Sequence, residues 1–445
     1  MKKILVLGAG LVTRPLVRYL LDQPDFQVTV ASRTVSKAEA LVDGHPRGDT
    51  VALLADETLK LEKLIGEHDL AVSLLPAPLH PVVAELCIKH GKQMVTTSYV
   101  SETMKGLDQA ARDAGVILLN EIGVDPGIDH MSAMRIIDDV RERGGEIVSF
   151  KSYCGGLPAP EDNDNPFGYK FSWSPRAVCT AGKNAARYRE NGKEVSVPGP
   201  ELFAHHHPVT VEGLGELEAY PNRDSLIYLD LYGLEGIETM FRGTFRYPGW
   251  CDTLKRIVEL GLLDEGPATY PEGMTLSEFT ASFLKDPPTG DLRADLAKQF
   301  GIQPSSPILD RFEWLGLLGD DPVPVTGQET TPLDVLAAQM LKKMPYQPGE
   351  RDMIVLCHYF IARFPDAPGE EITSTLIDYG QPDGDSSMAR TVSLPAAIGA
   401  RLILEGRIEK SGVHIPVKPE IYNPVLDELE RLGIKCVEKT NVLSA

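Results

Sequence analysis

Long apolar runs, paired cysteines and positive charge are all scarce in this chain of 445 residues. No stretch approaches the ~20 apolar residues that a bilayer-spanning helix needs, so no membrane partner is expected. The six cysteines, Cys87, Cys154, Cys179, Cys251, Cys357 and Cys436, lie far apart without a Cys-x-x-Cys pair. That spacing argues against both a zinc site and a disulfide framework, leaving reduced thiols and no metal as the expectation. Acidic residues outnumber basic ones 64 to 44, for a formal net charge of −20. Such a field repels polyanions and opposes nonspecific binding to nucleic acid or anionic lipid. A small anionic substrate is still open wherever arginines reverse the field locally. The opening Met1-Lys2-Lys3-Ile4-Leu5-Val6-Leu7-Gly8 is basic and then apolar, but the apolar run is shorter than that of a signal peptide and ends in a glycine turn. It reads as a first strand, in a protein expected to be cytoplasmic.

What is present is an ordinary globular composition, 42% hydrophobic and 24% charged, at a length that predicts two or three domains. β-branched apolar runs alternate with longer amphipathic segments from residue 3 onward, as βαβ units do. Strands are predicted at Lys3 to Leu7, Gln27 to Ala31, Asp69 to Leu75, Gln93 to Thr97 and Val116 to Leu119. Helices are predicted over Leu11 to Asp22, Val82 to His90, Glu102 to Ala114 and Ile128 to Arg143. After a strand at Ile147 to Tyr153 comes a Gly/Pro-rich segment, Cys154 to Pro160, expected as a loop. Further strands are expected at Ser225 to Leu231, Thr239 to Arg246, Met353 to Phe360 and Glu371 to Tyr379. Between Cys251 and Lys343 apolar residues recur at helical spacing, and Ser386 to Glu405 reads as a long helix interrupted at Pro395. The fold class is therefore α/β: a Rossmann-type doubly wound parallel sheet, a mixed-sheet α/β substrate domain and a small all-helical subdomain. The boundaries expected are 1–127 with 386–445, 128–250 with 344–385, and 251–343.

Gly8-Ala9-Gly10-Leu11-Val12-Thr13 follows a strand and opens a helix, where glycines let the backbone approach a pyrophosphate. Its third glycine is replaced by Thr13, so alone it is an incomplete motif, and a plain tight turn is the alternative. The second strand ends in Ala31-Ser32-Arg33-Thr34, with no acid for a ribose 2′-hydroxyl but a guanidinium and two hydroxyls suited to a 2′-phosphate; a solvated loop cation is the bland reading of Arg33. Ligands bind beyond the carboxyl ends of such strands, which places Ser98, Tyr99 and Asp125 toward nicotinamide and substrate, with turn and cap roles as the alternative. His205-His206-His207 lacks metal-ligand spacing and is read as a loop.

Several motifs resemble those of the saccharopine reductases, the L-glutamate-forming saccharopine dehydrogenases. They are Gly8 to Pro15, Thr97-Ser98-Tyr99, Asp125-Pro126-Gly127-Ile128-Asp129-His130, Tyr153 to Pro160, Tyr169 to Ser174, Tyr220 to Ser225, Arg242 to Tyr247 and Ser387 to Val392, so the likeness spans nearly the whole chain. The resemblance implies a Rossmann domain completed by the C-terminal segment, a substrate and dimerisation domain in a homodimer, and NADP(H) as cofactor. It implies cofactor contacts at the Gly8 turn, Gly10, Leu11, Val12, Thr13, Ser32, Arg33, Thr34, Leu75, Thr97, Ser98, Val124, Asp125, Pro126 and Ser174. Saccharopine contacts are implied at Ser98, Tyr99, Asp125, Arg223, Thr244, Phe245 and Arg246. The implied reaction condenses 2-aminoadipate 6-semialdehyde with glutamate and reduces the imine to saccharopine, with Asp125, Tyr99 and Cys154 as candidates for proton transfer. Two arginines suit a substrate with three carboxylates; a carboxynorspermidine-type dehydrogenase and a non-catalytic nucleotide sensor are the alternatives.

Overall fold

Ile4, Leu5, Val6 and Leu7 are all fully buried in β1 (Lys2–Leu7), the pattern of a parallel strand covered on both faces by crossover helices. The computed structural model describes residues 1–54, 56–173, 175–325 and 329–443. The chain divides into two units, Met1–Ile147 with Phe360–Ala445, and Val148–Tyr359.

The first unit continues α1 (Arg14–Asp22), β2 (Phe26–Ser32), α2 (Val35–Val42), β3 (Gly48–Ala52), α3 (Thr58–Glu67), β4 (Leu70–Ser73), α4 (His80–His90), β5 (Gln93–Thr96), α5 (Glu102–Gly106), α6 (Asp108–Asp113), β6 (Ile117–Leu119) and α7 (Ile128–Glu142). The chain leaves this unit within β7 (Glu146–Pro158). The second unit adds α8 (Pro175–Ala181), β8 (Ala186–Glu190), β9 (Lys193–Val197), β10 (His207–Val211), β11 (Gly215–Pro221), α9 (Tyr228–Tyr232) and β12 (Thr239–Arg246). Five helices follow: α10 (Trp250–Leu260), α11 (Leu276–Ala281), α12 (Leu292–Phe300), α13 (Pro307–Leu315) and α14 (Pro332–Lys343). The chain returns to the first unit within β13 (Asp352–Arg363), then forms β14 (Glu370–Tyr379), α15 (Ser387–Leu404), β15 (Gly412–His414), α16 (Pro419–Arg431) and β16 (Val437–Val442).

In the first unit the sheet order is β15-β6-β5-β4-β1-β2-β3, all parallel, which is the doubly wound arrangement with one strand added. The added strand comes from the C-terminal segment, with Val413 paired to Leu118. Leu5, Leu7, Ala71, Met94 and Leu118 form one core with Leu64, Val83 and Cys87 of α3 and α4. Helix α15 packs with α1 and over β4 and β5. Gly399 permits the close approach, since a Cβ there would lie 2.8 Å from the Ile122 side chain. In the second unit the order β10-β11-β12-β7-β13 mixes antiparallel and parallel pairs.

The helical run from α10 to α14 is punctuated as isolated helices must be. Asp291, Ser306 and Thr331 side chains cap the starts of α12, α13 and α14, while Gly261, Gly301 and Gly316 end α10, α12 and α13 at positive φ.

Several expectations are corrected. Ser225 to Leu231 is not a strand but a 3₁₀ turn, Ser225–Ile227, leading into α9; the Asp224 side chain accepts from Leu226 N at 2.9 Å and turns the chain. Cys154 to Pro158 is not a loop but the second half of β7. Gly155 there is needed for packing rather than turning, because a Cβ would sit 2.7 Å from Phe245 Cβ on β12. Helix α1 starts at Arg14, not Leu11, and Glu102 to Ala114 breaks into α5 and α6 at Leu107. Helix α15 runs through Pro395 without interruption.

Gly155→Ala should overpack the β7–β12 contact and destabilise the protein by about 1–3 kcal/mol, read as a lower urea midpoint at unchanged m-value.

Candidate active site

The glycine turn is closed by its own departure from the three-glycine pattern. Gly8 N donates to Ala31 O at 2.9 Å, with φ of 111°, and a Cβ there would lie 3.0 Å from Leu74 O. Thr13 is fully buried, and its Oγ1 accepts from Gly10 N at 3.0 Å and reaches Gly8 O at 3.4 Å. The threonine therefore clips the turn from within. Gly10 and Leu11 are left exposed at the crest, Val12 half-buried, and nothing lies within 4 Å of where a Gly10 Cβ would be, so a diphosphate can come close to the backbone.

At the end of β2, Ser32 Oγ accepts from Thr34 N at 3.2 Å, and Arg33 and Thr34 are exposed just before the N-terminus of α2. A guanidinium, a hydroxyl and free helix N–H groups meet there, and no acid interrupts them. Together with the open Gly10 crest, these residues fit an NADP whose 2′-phosphate lies at Arg33.

Beyond the other strand ends, Leu75 and Thr97 are half-buried, while Val124 and Pro126 are buried. Tyr99 and Asp125 come together, with the Tyr99 hydroxyl donating to Asp125 Oδ1 at 3.0 Å. The loop under them is held by buried polar side chains. Glu121, at φ of 54°, accepts from Val100 N at 2.9 Å through one carboxylate oxygen and meets His130 Nε2 at 2.9 Å through the other. Asp129 Oδ1 accepts from Gly127 N at 2.6 Å. Gly127 is required, since a Cβ would collide with the Gly123 backbone. Ser98 Oγ lies 2.8 Å from Nε2 of the buried His80.

In the second unit, Arg246 at the end of β12 is buried beneath aromatic rings, its guanidinium carbon 5.0 Å from the Tyr169 centroid, 5.4 Å from Trp250 and 5.7 Å from Tyr220. Its Nη1 donates to Phe245 O at 2.7 Å, its Nε has no partner, and it forms no ion pair among the described residues. The nearby Glu218 accepts instead from Gly249 N at 3.0 Å and Cys251 N at 2.5 Å, at the start of α10. Phe245 is fully buried and stacked on Tyr153, and its carbonyl accepts from Arg246, so it supports the guanidinium rather than facing a ligand itself. Cys154 is buried and pairs in register with half-buried Thr244; Arg223 is exposed at φ of 53°. Ser174 lies outside the described residues. His206 Nδ1 bonds to Phe203 O and His207 Nε2 to the Tyr153 hydroxyl, at 2.8 and 3.1 Å.

A family model described as the saccharopine dehydrogenase NADP binding domain matches residues 4–119, and one for the saccharopine dehydrogenase C-terminal domain matches 123–434. The chain belongs to the saccharopine dehydrogenase family. Its relatives include the saccharopine dehydrogenases [NADP(+), L-glutamate-forming] of Schizosaccharomyces pombe, 42% identical, and Saccharomyces cerevisiae, 40% identical, each aligned over 99% of both chains. A solved apo saccharopine dehydrogenase (L-Glu forming) from Saccharomyces cerevisiae superposes with a TM-score of 0.90 at 38% identity, covering 99% of this chain and 100% of the other.

Three buried groups that hold the rim, His80, Glu121 and His130, were not nominated from the sequence. Only His130 stands inside one of the motifs above, and no spacing links His80 to Ser98. The Arg33 corner yields a direct expectation. Arg33→Ala should weaken NADPH about 10- to 100-fold through loss of a charge-assisted bond, ~1.5–3 kcal/mol, and leave NADH almost unaffected. Fluorescence titration of both cofactors checks it; equal weakening would return Arg33 to the solvated surface.

Proposed function

We propose that this chain catalyses the reversible NADP(H)-dependent reduction of the imine between 2-aminoadipate 6-semialdehyde and L-glutamate to L-saccharopine, as an oxidoreductase of lysine metabolism acting on a CH–NH bond. Arg246 is the observation that carries this reading. A buried guanidinium is costly without an anion, and an aromatic box offers only partial compensation. A substrate carboxylate completes it. Saccharopine has three carboxylates, whereas a carboxynorspermidine-type product has fewer and more amines, so a buried cation without an internal acid favours saccharopine.

In this reading the glutamate amine adds to the aldehyde carbon, water leaves, and the C=N bond accepts a hydride at carbon and a proton at nitrogen. The Gly8–Thr13 turn and Ser32-Arg33-Thr34 would hold NADPH, which would supply the hydride. Ser98, Arg223, Arg246 and Thr244 bind and orient the reactants. Fixing two reactants removes much of the entropy cost of their encounter. Asp125, with Tyr99 donating to it, handles protons at the amine, and Cys154 is the other candidate. Residues 1–127 with 386–445 form the NADP-binding domain, 128–250 with 344–385 serve substrate binding and dimerisation, and 251–343 form the helical subdomain of a cytoplasmic homodimer.

The decisive experiment follows NADPH absorbance with saccharopine and NADP. Turnover is expected; cofactor binding without turnover would indicate a sensor, and turnover with a carboxyalkyl polyamine alone would indicate the rival enzyme. Arg246→Met, which keeps side-chain length, should raise the saccharopine KM about 10- to 100-fold with little change in the KM for NADP. Asp125→Asn should lower kcat about 100-fold or more, more than it alters either KM. A loss under about tenfold would leave Asp125 as a residue that orients rather than transfers.

A further inference from the structure

A line of polar side chains runs from inside the parallel sheet to its rim. Ser73, the last residue of β4, is fully buried; His80, the first residue of α4, is nearly so; Ser98, two residues past β5, is half-buried. His80 Nδ1 lies 2.9 Å from Ser73 Oγ, and its Nε2 lies 2.8 Å from Ser98 Oγ and 3.4 Å from Thr96 Oγ1. Thr96 Oγ1 in turn accepts from Ser98 N at 3.4 Å.

The positions of the hydrogens follow from satisfying each buried group. A neutral imidazole has one N–H and one bare nitrogen. Among the described residues, Ser73 Oγ has no side-chain partner other than His80 Nδ1, so its hydrogen either points at that nitrogen or is stranded, at about 1–3 kcal/mol. Nδ1 is therefore the acceptor and the ring hydrogen sits on Nε2, shared between Ser98 Oγ and, more weakly, Thr96 Oγ1. A second ring proton would face the Ser73 hydroxyl in a site without a neighbouring acid. Burial accordingly pushes the His80 pKa down to about 4, and the ring stays neutral at working pH. Ser98 Oγ thus receives a hydrogen bond from within, and its own hydrogen turns away from the ring. No other group among the described residues takes that hydrogen.

We propose that His80 is a positioning residue that fixes Ser98 as a hydrogen-bond donor toward a carbonyl or carboxylate oxygen of the bound reactants. The proposal rests on the functional reading above for the presence of those reactants at Ser98, but the hydrogen assignment does not. An ordinary core histidine would bridge its neighbours with no effect on ligand; the difference is measurable.

¹⁵N NMR of the full-length protein labelled in histidine should show His80 protonated on Nε2 and bare on Nδ1 at neutral pH. A protonated Nδ1 overturns the assignment. His80→Phe and Ser98→Ala should each lower kcat/KM for saccharopine about tenfold, the loss of roughly one hydrogen bond, and the double variant should lose no more than Ser98→Ala alone. Additive losses overturn action through Ser98. His80→Gln, whose amide can still donate to Ser98 Oγ, should recover most of the loss, and no recovery counts against the proposal. Should His80→Phe fail to fold, Ser73→Ala replaces it in the cycle. It frees the ring to take either tautomer, so part of the same loss should appear in the wild-type background and vanish beside Ser98→Ala; a loss that persists there overturns the proposal. A wild-type protein inactive on saccharopine would defeat the functional reading while leaving the NMR result intact.

Discussion

A parallel strand cannot return directly to its neighbour, so each strand of the first unit hands over to a crossover, and all of them run out at one rim. Register fixes what emerges beside what. Leu7 pairs with Ala31 on one side and Ser73 on the other, Ser73 pairs with Thr96, and Val95 pairs with Leu119. Gly8, Ser32, Leu74 and Thr97 consequently come level at the rim, with Asn120 one residue behind. The glycine turn, the Arg33 corner, the His80–Ser98 line and the Tyr99–Asp125 pair are separate pieces of chemistry that share this one alignment. Moving any strand by one residue would reverse which side chains face the core and dismantle them together.

The second unit solves a different problem. Its sheet must carry a cation into the interior, and it does so with rings rather than with acids. Tyr169, Tyr220 and Trp250 surround Arg246, and Glu218 on the adjoining strand is occupied at the start of α10. The bare glycine edge of β7 lets β12 sit close enough for Phe245 to stack on Tyr153.

The Rossmann half was legible because buried parallel strands are unbroken apolar runs and its first turn is glycine-rich. β3 escaped notice because Gly48–Ala52 is a half-exposed edge strand with little apolar pattern. β8 to β10 are short and rich in polar residues, Ala186–Glu190, Lys193–Val197 and His207–Val211, and so carry no strand pattern; His207, read as loop, opens β10. Ser225 to Leu231 failed the other way: apolar residues that favour strands were overruled by one Asp224 cap. In the site, residue types and strand ends were sufficient to nominate Ser98, Tyr99, Asp125 and Arg33. Burial decides the remainder, and burial is tertiary. The sequence could not distinguish Arg246, enclosed by rings, from the exposed Arg223, or connect His80 to a serine that only the β4–β5 pairing brings near.

The aromatic box has a consequence for turnover. A carboxylate of the protein's own, tethered beside Arg246, would be present at an effective concentration that a freely diffusing substrate could hardly match. The enzyme would be inhibited by itself, and binding would have to break an ion pair before making one. Rings stabilise the guanidinium without competing for its hydrogen-bond donors, so in its proposed role Arg246 would stay receptive to a substrate carboxylate. In the role proposed for Arg246, the cost is a folded state less stable without a bound carboxylate than with one, which would couple the integrity of this unit to the supply of its substrate.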